Sequence, residues 1–142
     1  MERVVAKFGG TSVADAGQVR RIMELVAADP KRRVVVVSAP GKRDKTDKKI
    51  TDLLFLCHQL AAAEVSFHEP YSIISERFKT LAADLGVPGA ADAAVRVLHE
   101  GLTRGETAVW VAIRGEHISA RLIAASIRAT FVQTVELLGI DA

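Results

Sequence analysis

The run Val34-Val35-Val36-Val37 constrains the fold of this chain more than any other stretch. Four β-branched residues in a row favour a strand over a helix, and a strand apolar on both faces belongs in the middle of a parallel sheet. A parallel partner requires a crossover connection, and the preceding residues supply one. Arg3 to Phe8 is a second short segment rich in valine. Between the two, Val19, Ile22, Met23 and Val26 fall at i, i+3, i+4 and i+7, the spacing of an amphipathic helix. Thr11 or Ser12 is placed to cap that helix, and Asp29-Pro30 to end it. The pattern predicts a right-handed βαβ unit.

The remainder reads as helices. Residues 39–49 form a polar loop carrying Lys42, Arg43, Lys45, Lys48 and Lys49, diluted by Asp44 and Asp47. Such a loop could steer anions, but a solvated surface loop is the simpler reading. Ile50, Leu53, Leu54, Cys57 and Leu60 mark one helix face, and Tyr71, Ile74, Phe78, Leu81 and Leu85 a second. Gly86-Val87-Pro88-Gly89 breaks that helix. Ala91, Val95, Leu98 and Leu102 mark a third, which ends at Gly105. Residues 106–127 are helical in pattern, with an expected interruption at Gly115. Thr130 to Val132 reads as a third strand and Val135 to Leu138 as a turn. No repeat or linker divides the 142 residues, which suit one α/β domain.

Composition excludes several function classes. A net charge of +2 lacks the dense cationic face of a duplex-DNA binder, and 5% aromatics offer no stacking platform for single strands. No apolar run reaches the length of a membrane span. The N-terminus passes straight into a strand pattern without a signal peptide's apolar core. The single cysteine, Cys57, cannot form an internal disulfide. A cytoplasmic location is expected.

The first strand is followed at once by Gly9-Gly10 and then a helix. A tight glycine turn bares backbone N–H groups, and a helix N-terminus adds donors and partial positive charge, the makings of a phosphate site. Lys7 adds a full charge. The turn fits neither the Walker A nor the Gly-x-Gly-x-x-Gly pattern. Taken alone, the same residues also read as an ordinary βα turn beside a surface lysine.

Lys7-Phe8-Gly9-Gly10-Thr11-Ser12-Val13 closely resembles the opening motif of the aspartate kinases, a branch of the amino-acid kinase family. Two further segments fit in order. Val36-Val37-Ser38-Ala39-Pro40-Gly41 with Lys49-Ile50-Thr51-Asp52-Leu53-Leu54 resembles the family's second strand, loop and helix. Arg114-Gly115-Glu116-His117-Ile118-Ser119-Ala120 resembles its segment around a glutamate. The resemblance implies a three-layer αβα fold with a mainly parallel sheet, as in carbamate kinase-like proteins, of which residues 1–142 would be the N-terminal portion.

It also implies ATP-dependent phosphorylation of the β-carboxylate of L-aspartate, with Mg²⁺ carried by the nucleotide. Lys7 would contact the transferring phosphate, and the turn Gly9, Gly10, Thr11 and Ser12 would bind it. Ser38 and Thr51 would hydrogen-bond aspartate, and Glu116 would receive its α-ammonium. A similar triplet, Arg104-Gly105-Glu106, lacks the following context and reads as a helix end. The family's later Gly-Arg-Gly-Gly-Ser-Asp-like segment, its adenine-binding part and its regulatory ACT domains have no counterpart in these residues. One side of an active site is therefore expected, with little activity from this chain alone. Glutamate or acetylglutamate kinase, or a non-catalytic module of the same fold, are the alternative readings. No protein-only metal site is expected, because His58, His68, His99 and His117 lack partners at ligand spacing. A homo-oligomer, or self-association through exposed apolar surface, is the expected assembly.

Overall fold

The β-branched runs do form strands, and they pair in parallel. A computed structural model describes residues 2–133. Strand β1 (Val4–Phe8) leads through a short 3-10 helix (Gly10–Val13) into α1 (Ala16–Ala27), and the chain returns as β2 (Arg32–Val37). The register sets Lys7 beside Val36 and Phe8 beside Val37. Four helices follow: α2 (Ile50–Ala62), α3 (His68–Asp84), α4 (Asp92–Arg104) and α5 (Ala108–Ile127). Helices α1 and α5 both pack against β2, and α2 packs against α3, α4 and α5. The core is continuous, running from Val19 and Ile22 of α1 through Leu54 of α2 and Phe78 of α3 to Leu98 of α4 and Ile118 of α5.

Several expectations need correction. Neither Thr11 nor Ser12 caps α1, because both lie in the 3-10 helix. The cap is Asp15, whose carboxylate accepts from the Gln18 N–H at 2.9 Å. Gly115 does not interrupt α5, which runs unbroken from its Thr107 cap. A Cβ at Gly115 would lie 2.9 Å from Ala39 Cβ and 3.0 Å from Leu54 Cδ1, so this glycine is where α5 crosses α2 and the loop after β2. Gly101 plays the same part between α4 and α5, where a Cβ would overlap the ring of Trp110.

Residues 130–132 are not a strand, so the sheet has two strands among the described residues. The expected turn at 135–138 lies outside them. Nor is β2 buried on both faces. Val35 and Val37 face the core, but Val34 and Val36 are 45% and 44% exposed, and Val5 on β1 is 62% exposed. Periodicity cannot distinguish a strand that is apolar on two faces from one that is covered on two faces.

Candidate functional site

The glycine turn is built by backbone packing against the loop after β2. Pairing of β1 with β2 continues past the strands, with the Ser38 N–H donating to Phe8 O at 3.1 Å. The Gly41 N–H then donates to Gly10 O at 2.9 Å. The two glycines touch so closely that a side chain on either would force the opposing backbone to shift. A Cβ on Gly10 would sit 3.0 Å from Ala39 O, and one on Gly41 would sit 3.0 Å from Gly10 C. Gly9 differs, since a Cβ there meets nothing within 4 Å and its φ of −75° suits any residue. Because a peptide is planar and trans, holding the Gly10 carbonyl toward Gly41 turns the Thr11 N–H the opposite way.

The N-terminus of α1 is not the open anion site that the sequence pattern suggests. Asp15 occupies one of its free donors and sets a carboxylate on the positive end of the helix dipole. The donors left for a ligand are those of the turn itself, at Gly9, Gly10 and Thr11, since the Ser12 N–H already donates to Gly9 O at 3.1 Å. Lys7 is exposed on β1, on the same open sheet face as Val5, Val34 and Val36.

Ser38, Thr51 and Glu116 come from three elements whose neighbouring residues meet at one place. Ala39, next to Ser38, and Ile50, next to Thr51, both contact the Cβ position of Gly115, next to Glu116. The Ile50 N–H also donates to Pro40 O at 3.2 Å, tying the start of α2 to the same loop. Ser38 and Thr51 are half-buried and Glu116 is exposed. The Ala39–Gly41 loop touches both Gly10 and Gly115, so it links the glycine turn to all three.

The cationic loop is ordered rather than loose. Asp44 Oδ1 accepts from the Thr46 N–H at 2.8 Å and the Thr46 hydroxyl at 2.7 Å. Asp47 accepts two side-chain bonds from Arg43, at 2.7 and 3.1 Å, and lies 3.6 Å from Arg77. The Arg43 hydrogen bond, assisted by the Arg77 charge, holds the Asp47 carboxyl well below the usual carboxylate range. Sequence reasoning missed Arg77, whose one signal is a charge on the apolar face of α3 beside Ile74, Phe78 and Leu81, with no partner visible in the sequence. It also missed Asp15, a cap residue directly before Ala16.

Other groups stand apart from this place. Burial pushes the Cys57 thiol up to about 11, which leaves it an unreactive core residue. Among the described residues, no three His, Cys, Asp or Glu side chains converge on a common point. A cavity of about 810 Å³ lies along β2 between α1 and α5, lined by Met23, Val26, Val36, Ile123 and Phe131 among others. None of the site residues lines it.

Comparison with known proteins places these features in a family. The amino acid kinase family model matches residues 2–142. Aspartokinase 3 of Bacillus subtilis is 36% identical over 130 residues, covering 87% of this chain and 29% of that protein. The aspartokinase of Mycobacterium tuberculosis is 48% identical over 66 residues, 44% of this chain and 14% of the relative. The crystal structure of Clostridium acetobutylicum aspartate kinase superposes with a TM-score of 0.89 at 30% identity, over 93% of this chain and 30% of that one. Escherichia coli aspartokinase III in complex with aspartate and ADP superposes with a TM-score of 0.70 at 28% identity, over 89% and 29%. The chain thus spans less than a third of the length of these relatives. Its parallel sheet with flanking helices is part of their three-layer αβα fold, and the chain belongs to the amino acid kinase family.

Proposed function

We propose that this chain forms one side of an aspartate kinase active site, in which ATP phosphorylates the β-carboxylate of L-aspartate to give 4-phospho-L-aspartate. The observation that carries the reading is the Gly10–Gly41 contact, which joins the glycine turn to the loop bearing Ser38. The likeness to a structure holding aspartate and ADP supports the choice of ligands.

The chemistry asks for placement and charge compensation. A β-carboxylate oxygen attacks the γ-phosphorus while the bond from phosphorus to the ADP oxygen breaks. A side-chain carboxylate is already ionised at pH 7, so the attack needs no general base. Two anions must approach, and fixed cations and N–H donors offset their repulsion. Lys7 serves as the catalytic cation, and the amides of Gly9, Gly10 and Thr11 hold the phosphate, with the Ser12 side chain beside them. Ser38 and Thr51 hydrogen-bond the substrate, and Glu116 pairs with its α-ammonium. Mg²⁺ arrives on the nucleotide phosphates, which carry it in this class of reaction. The setting is cytoplasmic; no helix among the described residues is long and apolar enough to cross a membrane.

Glutamate and acetylglutamate kinase are the rival activities within the family, and a non-catalytic module is the rival outside catalysis. The test is an ATP-dependent hydroxamate assay with aspartate, glutamate and acetylglutamate as acceptors. The full-length enzyme containing this chain turns over aspartate, and Lys7→Ala abolishes that turnover with folding intact. Preference for another acceptor would refute the aspartate assignment. The 142-residue chain by itself shows no turnover, and activity from it would refute the one-sided site.

A further inference from the structure

Arg77 is buried to 7% exposure in the apolar face of α3, between Ile74 and Phe78. A charge in such a place must be paired and hydrogen-bonded. Its Nη1 donates to Lys48 O at 2.7 Å, and its Nη2 donates to Gly41 O at 2.8 Å. The same Nη2 lies 3.6 Å from Asp47, which Arg43 holds from the solvent side. One planar guanidinium therefore clasps the first and last turns of the 41–48 loop. Gly41, gripped by its carbonyl, reaches back through its own N–H, in the preceding peptide, to the Gly10 carbonyl. Lys48 lies just before Ile50, whose N–H returns to Pro40 O.

We propose that Arg77 is a positioning residue. Through Gly41 it sets the orientation of the Gly10–Thr11 peptide, and through Lys48 it sets the start of α2 and hence Thr51. The inference rests on the aspartate kinase reading for what is positioned, while the clasp itself stands on geometry alone. Lysine cannot replace arginine here. A single ammonium on a flexible stem does not span two carbonyls and a carboxylate in one plane.

The test joins amide hydrogen exchange with titration of the 142-residue chain by Mg·ADP and by L-aspartate. In Arg77→Met, and less strongly in Arg77→Lys, exchange at the Gly41 and Ile50 amides rises at least about tenfold, the scale expected when charged hydrogen bonds are lost. The Val111 amide, bonded to Thr107 O in α5, keeps its wild-type rate. Affinity for both ligands falls in step. Leu102→Ala, a core truncation in α4, serves as the destabilised comparator, raising exchange broadly without singling out Gly41 and Ile50. Unchanged exchange at these two amides in Arg77→Met would overturn the proposal, as would a uniform rise matching Leu102→Ala. If the wild-type chain answers neither ligand, the exchange pattern alone decides whether Arg77 is the loop's anchor, and the full-length hydroxamate assay decides the aspartate kinase reading separately.

Discussion

Gly9 and Gly10 stand side by side and have different reasons for being glycine. Gly10 is required by the fold, because Ala39 O and the Gly41 backbone fill the space of its side chain. Gly9 has open space and an ordinary φ, so nothing among the described residues demands it, and the proposed function accounts for it by close approach of a ligand. Gly10→Ala should cost about 1–3 kcal/mol through overpacking. Gly9→Ala should change stability by less than about 0.5 kcal/mol while weakening nucleotide binding. Urea melts alongside Mg·ADP titration check both. A large stability loss from Gly9→Ala would place that glycine in the fold rather than the site.

His117, beside Glu116, makes a second prediction at this scale. Burial, reinforced by the Arg114 and Arg121 charges, lowers its imidazole from 6.5 to about 4. Its ring instead accepts a hydrogen bond from Arg121 Nε at 2.8 Å. The unfolded chain takes up this proton near pH 6.5 and the folded chain only near 4. Stability is therefore full above 6.5 and falls as pH drops through that window. His117→Gln should flatten the loss between pH 7 and pH 5 in urea melts. An unchanged slope would show that other groups carry it.

At the scale of elements, the helices were largely legible because their apolar residues repeat at helical spacing over three or more turns. What was not legible is what each glycine does once elements meet. In the sequence Gly115 resembles a helix break; in the fold it admits Ala39 and Leu54 to the crossing of α5 with α2. Alanine at Gly115 gains up to about 1 kcal/mol in helix propensity. It also forces a contact of 2.9 Å, and overpacking of that kind costs about 1–3 kcal/mol. The packing term should win. Gly115→Ala should lower stability and disturb the amides near Ala39 and Ile50 in NMR spectra, whereas a stabilised variant with an unshifted spectrum would contradict the crossing. Arg77 was hidden for a related reason. An arginine within an apolar helix face has no visible partner in the sequence, since the carbonyls it bonds lie 29 and 36 residues away.

For the whole molecule, the βαβ unit and its parallel pairing were readable from the two valine segments, but the register and the coverage of the sheet were not. Val5, Val34 and Val36 lie on one face with substantial exposure, and a groove of about 810 Å³ runs along β2. Contiguous apolar surface and an open strand edge favour association. We expect the average mass from light scattering to rise with concentration, and paired Val34→Lys and Val36→Lys substitutions to suppress the rise. A monomer at every concentration would count against this face as the contact. The candidate site lies at the carboxyl ends of the strands, and of its residues Lys7, paired with Val36, shares this face. It depends on motif chemistry that local sequence displayed, and on a loop whose anchoring it did not.

In the proposed function, the glycine turn and the residues around Ser38, Thr51 and Glu116 act as one side of a phosphate and aspartate site. Amide NMR of the 142-residue chain during titration with Mg·ADP and then L-aspartate tests it most directly. The account predicts saturable shifts at Gly9 to Ser12 with the nucleotide, and at Ser38, Thr51 and Glu116 with aspartate. Silence at those positions, or shifts confined to the groove along β2, would contradict it.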